Sequence, residues 1–332
     1  MSRDEVVIAS AIDDNYVWPL LVMLKSAIKG SDRPIKFILG YSAVDLKAKN
    51  ISILANVFEQ WGIHYEFVEL DFDLDVEFDN YLTATTYARL FLADILDEDF
   101  LWIDADVMCL PGWIELANLH EKLTGDVAVI GVKDPLADSV PPGKVSKNAA
   151  LRAAGQDYFN AGVVFLSPTI WRTLGGPKNW RAAQSSYVEL NLDFHDQCIL
   201  NYVLAGHSYI AAPELNYLVR NDMGRRVANP KIVHFAGGFK PWHMHNMALA
   251  VLSPRPHRDL YRNYAILQYQ LAWELYKKNP AYARNIWQMR QSLRRAGNLK
   301  GIIIQKLRWR INHYRLAIKA VLGIKNEASK RK

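Results

Sequence analysis

The sequence predicts an α/β fold, a sheet covered by helices and followed by a helical, strongly basic C-terminal region. Three observations lead there. Apolar runs rich in β-branched and aromatic residues alternate with longer segments of helical spacing along the first part of the chain. Half of the 332 residues are hydrophobic and 22% are charged, a composition that builds a sizeable buried core. The charge is unevenly placed: residues 281–332 hold 14 Lys or Arg against the single acid Glu327, so that stretch carries +13 and the first 280 residues −7. That split excludes a generally basic protein that coats nucleic acid, and the tail calls for its own explanation.

The strand-like runs begin with VVIASAI (6–12), IKFILGY (35–41) and HYEFVEL (64–70). Between them WPLLVMLKSAIKG and VDLKAKNISILANVFEQWG have helical spacing, giving the order β-α-β-α-β. Such alternation predicts a parallel sheet, and ligands of these sheets bind beyond the carboxyl ends of the strands. FLWID (100–104), VAVIGV (127–132) and GVVFLS (162–167) continue the pattern, the last two separated by the Pro-, Gly- and Lys-rich loop PLADSVPPGKVSKNAA. Helical stretches around WRAAQSSYVEL and HDQCILNYVLAG follow, then the short run IVHFAGG and the helix HRDLYRNYAILQYQLAWELYKK. The expected organisation is an α/β domain over residues 1–250 and a helical region over 251–332.

Cys109 and Cys198 lie far apart in apolar contexts, with no CxxC or Cys/His spacing. They indicate neither a disulfide framework nor a zinc site, and a reducing compartment fits them. The amino-terminal MSRDEVVIASAIDDNY is too short in its apolar stretch, and too acidic behind it, for a signal peptide. The apolar runs fall well below the ~20 residues a spanning helix requires.

Chemistry is expected where strands end. In LWIDADVMCL the acids Asp104 and Asp106 are two apart. On a strand that spacing puts them on one face, where they can converge on a single ion. Hard carboxylate oxygens suit Mg²⁺ or Mn²⁺, and a divalent ion there would hold a diphosphate. A solvated turn is the plainer reading of the pair taken alone. Asp13, Asp14 and Asn15 follow the first strand directly, as an Asx-rich turn or as groups that read a base edge. No glycine-rich phosphate loop accompanies them, which favours a single nucleotide held largely by metal. His234 follows a short strand and precedes Gly237, Gly238 and Lys240. An imidazole beside two carboxylates tilts the metal toward manganese.

Six ordered segments, IDDNY (12–16), TTYARL (85–90), WIDADV (102–107), YFNAGVVFLS (158–167), FHDQCILN (194–201) and HFAGGFKPWH (234–243), together resemble glycosyltransferase family 8. The likeness spans residues 5–245 and is to the bacterial retaining enzymes that build lipopolysaccharide or lipooligosaccharide cores. It implies a GT-A fold, a Rossmann-like mixed sheet flanked by helices, and a UDP-sugar donor bound with Mn²⁺, with Mg²⁺ as an alternative. It implies metal ligation by Asp104, Asp106 and His234, and nucleoside contacts from Ala11, Asp13 and Asn15. Gly237 and Lys240 fall at diphosphate contacts, and Arg89, Asp134, Asn160, Gly162, Asp196 and Gln197 at positions lining the sugar. UDP-galactose or UDP-glucose would be the donor and a saccharide or glycolipid the acceptor.

Retention through an oxocarbenium-like transition state follows from the same likeness. Gln197 stands where a double displacement would place its nucleophile, and an amide is poor in that role beside a carboxylate. Front-side attack is therefore preferred, with Asp196 and Gln197 stabilising developing positive charge. Two rival readings are a haloacid-dehalogenase-type phosphatase using Asp104 and Asp106, and a silent sugar-nucleotide-binding protein.

In the tail, Ile303, Leu307, Ile311, Tyr314, Ile318 and Val321 form a helical stripe flanked by Lys306 and Arg310 on one side and Arg308, Arg315 and Lys319 on the other. Such a helix suits an anionic membrane surface better than nucleic acid. The expected location is cytoplasmic, peripheral on the inner membrane.

Overall fold

A computed structural model describes residues 5–72, 84–140, 144–219, 227–237, 240–242 and 257–278. The chain divides into two compact units, Met1–Gly237 and Gly238–Lys332. The basic tail and its amphipathic stripe lie outside the described residues.

In the first unit β1 (Val6–Ala11), α1 (Val17–Lys29), β2 (Ile35–Tyr41), α2 (Ala48–Trp61) and β3 (His64–Glu69) alternate as the periodicity predicts. The side chains of β1 and β2 are mostly buried and none is exposed, as expected for strands covered on both faces. The α2 helix stops at Gly62, whose φ of 66° is the left-handed conformation glycine tolerates best at a helix end. It presents Leu54, Val57 and Phe58 to the core, with Phe58 meeting Phe37 of β2 edge-on at 5.4 Å. Each fully buried side chain of this kind contributes roughly 1.5–3 kcal/mol.

There follow α3 (Ala88–Ile95), β4 (Phe100–Ile103), β5 (Val107–Cys109), α4 (Glu115–Asn118), β6 (Val129–Lys133), α5 (Ala149–Ala154) and β7 (Phe159–Leu166). Then come α6 (Pro168–Thr173), α7 (Gly176–Ser185), α8 (His195–Val203), β8 (Ser208–Ala211), β9 (Tyr217–Leu218) and β10 (Ile232–His234). Seven strands form the main sheet in the order β3-β2-β1-β4-β7-β6-β8, and β5-β10-β9 form a second sheet.

The main sheet is mixed. β1, β2, β3 and β4 run parallel, as the alternation predicts, but β7 is antiparallel to both β4 and β6. This reversal builds the site. The start of β7 and the end of β6 both lie at the edge where β1 and β4 finish. Asn160 pairs with Val132 there, and the Asp104 N–H donates to the Gly162 carbonyl at 2.8 Å.

The helix α3 is anchored by Asp94, whose carboxylate accepts from Trp171 Nε1 (2.8 Å), Trp180 Nε1 (3.0 Å) and Arg181 (2.7 Å). This ties α3 to α6 and α7 and fixes the helix that carries Arg89.

In the second unit the long helix is α9 (His257–Lys278). Its Leu260, Tyr261, Tyr264, Leu271 and Leu275 are buried, whereas Ile266, Tyr269 and Trp273 are exposed at the three- and four-residue spacing of one helix face. Among the described residues, no helix is long and apolar enough to cross a membrane.

Candidate active site

Asp104 and Asp106 do not sit on a strand. β4 ends at Ile103 and β5 begins at Val107, so both carboxylates belong to the turn by which the chain leaves one sheet for the other. Strand alternation is therefore not what brings them together. His234 arrives because β10 pairs antiparallel with β5, opposing His234 to Val107, and the Phe235 N–H donates to the Asp106 carbonyl at 3.0 Å. One ligand atom from each of Asp104, Asp106 and His234 falls within 4.8 Å of the others, a spacing that one ion can bridge.

Two features fit this donor set to a divalent ion. His234 Nε2 lies 3.3 Å from Asp106 Oδ1, while its Nδ1 is buried with no hydrogen-bond partner. An orphaned buried nitrogen is costly unless something else occupies it. Gly162 faces the same gap: a Cβ there would stand 2.3 Å from His234 Cε1 and 2.6 Å from Asp104 Oδ2. Two carboxylates and one imidazole around a space kept free by a glycine fit Mn²⁺, and fit Mg²⁺ less well on account of the nitrogen.

Arg89 links this cluster to the next. It is 4% exposed, so its charge must be compensated inside the protein. Its Nη2 donates to Asp104 Oδ1 at 3.1 Å, its Nε stands 3.1 Å from Asp196 Oδ2, and its Nη1 donates to the Ala161 carbonyl. Burial pushes the Asp196 carboxyl up to about 6; Arg89 opposes that and Asp104 adds to it. Burial also raises Asp104, with Arg89 opposing and Asp106 reinforcing the rise. Asp196 and Gln197 occupy the first turn of α8, which His195 opens with a φ of 44°, unusual for a residue with a side chain.

A hydrogen-bonded network around Asp134 completes the site. Asp134, fully buried, accepts from Asn160 Nδ2 at 3.0 Å and Gln197 Nε2 at 3.3 Å. Gln197 Oε1 accepts from Asn160 Nδ2 at 2.9 Å and the Ala161 N–H at 3.2 Å. Asn160 Oδ1 in turn accepts from the Gly162 N–H (3.1 Å) and Asn216 Nδ2 (3.0 Å). The lone pairs of Gln197 Oε1 are thus committed within the protein.

The residues expected to contact a nucleoside, Ala11, Asp13 and Asn15, lie at the end of β1 and just after it. Ser10 Oγ donates to the Ile103 carbonyl at 2.7 Å, joining the ends of β1 and β4. Asp13 caps its own turn by accepting from the Asn15 N–H at 2.8 Å, so the Asx turn does form. Asp14 is occupied elsewhere: it accepts from the Lys47 N–H (3.0 Å) and Asn50 Nδ2 (2.7 Å) at the start of α2. Ala11 ends β1, and Gly237 has a φ of 88°, the left-handed region glycine prefers. Lys240 belongs to the second unit.

The structure thus brings together Arg89, Asp104, Asp106, Asp134, Asn160, Gly162, Asp196, Gln197 and His234. Sequence reasoning missed Trp102, whose indole N–H donates to Asp104 Oδ1 at 2.7 Å, as well as Tyr158 and Asn216. Trp102 had a usable signal, since it lies two residues before Asp104 in WIDADV. Asn216 had none, because only the fold places it beside Asn160.

Residues 7–246 match the glycosyl transferase family 8 model, and the chain belongs to that family. The phosphatase reading gives way to this membership. The chain is 25% identical over 291 residues to general stress protein A of Bacillus subtilis, covering 80% of this chain and 94% of that protein. It is 24% identical over 263 residues to glycosyltransferase GlyF of Streptococcus pneumoniae, covering 74% of this chain and 59% of that one. The crystal structure of galactosyltransferase LgtC in complex with donor and acceptor sugar analogs superposes with a TM-score of 0.60 at 23% identity, over 80% of this chain and 95% of that one. The fold is accordingly GT-A.

Proposed function

We propose that the chain moves galactose or glucose from a UDP-sugar to a saccharide acceptor, with retention and with Mn²⁺ at Asp104, Asp106 and His234. The observation that carries this reading is the convergence of these three ligands beside Asp196 and Gln197, at the strand edge where α/β proteins bind nucleotides. When bound, the ion offsets the negative charge of the diphosphate.

Ala11, Asp13 and Asn15 would take the nucleoside, Gly237 and Lys240 the diphosphate, and Asp134, Asn160 and Gly162 the sugar. Arg89 acts as a buried strut between Asp104 and Asp196 as much as a sugar contact. The committed Oε1 of Gln197 supports front-side attack over a glycosyl-enzyme intermediate. The acceptor oxygen bonds to the anomeric carbon as the bond to phosphate breaks, and the acceptor proton passes to the leaving phosphate oxygen. The Asp196 carboxylate, held beside Arg89, stabilises positive charge on the sugar.

The acceptor in this reading is a lipopolysaccharide-type glycan or other glycolipid. The exposed Ile266, Tyr269 and Trp273 face, just upstream of the basic tail, supports peripheral attachment to the anionic cytoplasmic side of an inner membrane. The test is a panel of UDP-sugars with and without Mn²⁺, scored for UDP release with and without a saccharide acceptor. One hexose should release UDP only with metal. Tight donor binding with no UDP release under any condition would leave a silent binding protein instead.

A further inference from the structure

Asp104 Oδ1 receives two N–H donors, Trp102 Nε1 at 2.7 Å and Arg89 Nη2 at 3.1 Å. The donors also brace each other, the guanidinium carbon of Arg89 lying 4.9 Å from the centroid of the Trp102 ring. Trp102 is 1% exposed and has no room to swing away. Among the described residues, every side-chain hydrogen bond to this carboxylate ends on Oδ1. Oδ2 instead faces the gap above Gly162, where an added Cβ would meet it at 2.6 Å and His234 Nδ1 at 3.0 Å.

We infer that Trp102 is a positioning residue of the ion site: with Arg89 it clamps one oxygen of Asp104 so that the other is presented to the cation. The inference rests on the cation reading of Asp104, Asp106 and His234. Its physical basis is the last torsion of an aspartate, an sp³–sp² bond with a broad energy profile. A free carboxylate samples many planes and loses that freedom on binding a metal; one already fixed by two donors has lost it on folding. The choice of indole matters for charge. The buried cation of Arg89 pairs with Asp104 and Asp196, and Asp106 lies in the same cluster as Asp104. A second cationic donor in place of Trp102 would reduce the negative excess that attracts a divalent ion, whereas an indole N–H orients the carboxylate without adding charge.

The test compares the full-length protein with Trp102→Phe and with a form carrying benzothienylalanine at position 102, which keeps the ring outline and replaces the N–H by sulfur. Mn²⁺ alone is titrated and free Mn²⁺ read by electron paramagnetic resonance, and thermal midpoints are taken in EDTA. Both altered proteins should bind Mn²⁺ about 10- to 100-fold more weakly. The benzothienyl form, which keeps the ring outline, should lose less of the midpoint in EDTA than Trp102→Phe while losing as much Mn²⁺ affinity, so that the weaker binding cannot be ascribed to packing. Wild-type Mn²⁺ affinity in the benzothienyl protein would overturn the inference. His234→Ala is run alongside: if it binds Mn²⁺ as wild type does, the cation reading itself falls, and this failure is visible without reference to position 102.

Discussion

Nε2 of His234 stands 3.3 Å from Oδ1 of Asp106, although the two residues lie far apart along the first unit and meet only through the pairing of β10 with β5. If the contact marks a shared ion, removing either side chain removes Mn²⁺ binding and with it the anchor for a diphosphate. Asp106→Ala and His234→Ala should each lose Mn²⁺-dependent UDP binding in calorimetry. Normal binding in either would break the triad.

Gly162 gives a steric test of the same gap. Alanine there would place its Cβ 2.3 Å from His234 Cε1 and 2.6 Å from Asp104 Oδ2, closer than unbonded atoms approach. The imidazole must move, since the glycine sits in the sheet interior. Gly162→Ala should therefore weaken Mn²⁺ binding by about tenfold or more while a GT-A circular dichroism spectrum persists, a size in line with misplacing supporting groups of a metal site. Equal Mn²⁺ affinity in the variant would show that the gap above Gly162 is not where the ion lies.

How legible was all this in the sequence? The first three strands and α1 are legible to within a residue, because covered parallel strands are continuous apolar runs and amphipathic helices repeat at their own period, whereas α2 begins four residues after its helical spacing does. The antiparallel insertion of β7 is not legible from periodicity, since GVVFLS reads alike in either direction; the family likeness implies a mixed sheet without naming the strand that reverses. β5, β8 and β9 are two to four residues long and carry no periodic signal. The site was legible as motifs but not as geometry. Asp104 and Asp106 were recognised for a reason that the structure replaces, a turn between two sheets instead of one strand face. The linkage of Arg89 to both Asp104 and Asp196 depends on the packing of α3, which no local pattern encodes.

Gln197 joins Asp134, Asn160 and Ala161, so it acts through the placement of its neighbours as well as by its own position. Gln197→Ala leaves Asp134 short of one donor and Asn160 Nδ2 short of one acceptor, although Asn160 still donates to Asp134, and it touches none of the ion ligands. Transfer should slow by up to about 100-fold, the effect of small misplacements at a reacting centre, while UDP-sugar affinity changes little. Unchanged turnover would remove Gln197 from the mechanism.

Both cysteines are buried, and burial raises each thiol, Cys109 to about 12. The thiolate is the reactive form, so neither should react at neutral pH in the folded protein. A disulfide-exchange reagent should register no fast thiol natively and two after denaturation. Rapid labelling of Cys198 in the folded state would mean that the α8 region, with Asp196 and Gln197, opens readily.

Asp196 supplies a pH signature with a definite sign. Its folded-state pKa is about 6, against 3.8 for an ordinary aspartate, because burial disfavours the charged form more than Arg89 restores it. Between those values the folded protein holds a proton that the unfolded chain has released, so stability falls as pH rises through this window and is regained on acidification. A difference of that size is worth on the order of 3 kcal/mol. Measured in EDTA, the unfolding free energy of the wild type should lose this contribution as the pH climbs from the ordinary aspartate value to about 6 and stay level above it, while Asp196→Asn lacks that portion of the slope. Asp104 is raised as well and contributes in the same direction, so the comparison is between slopes and not absolute stabilities. Identical pH slopes for the two proteins would show that Asp196 titrates as an ordinary, solvated carboxylate, and the buried strut through Arg89 would then have to be abandoned.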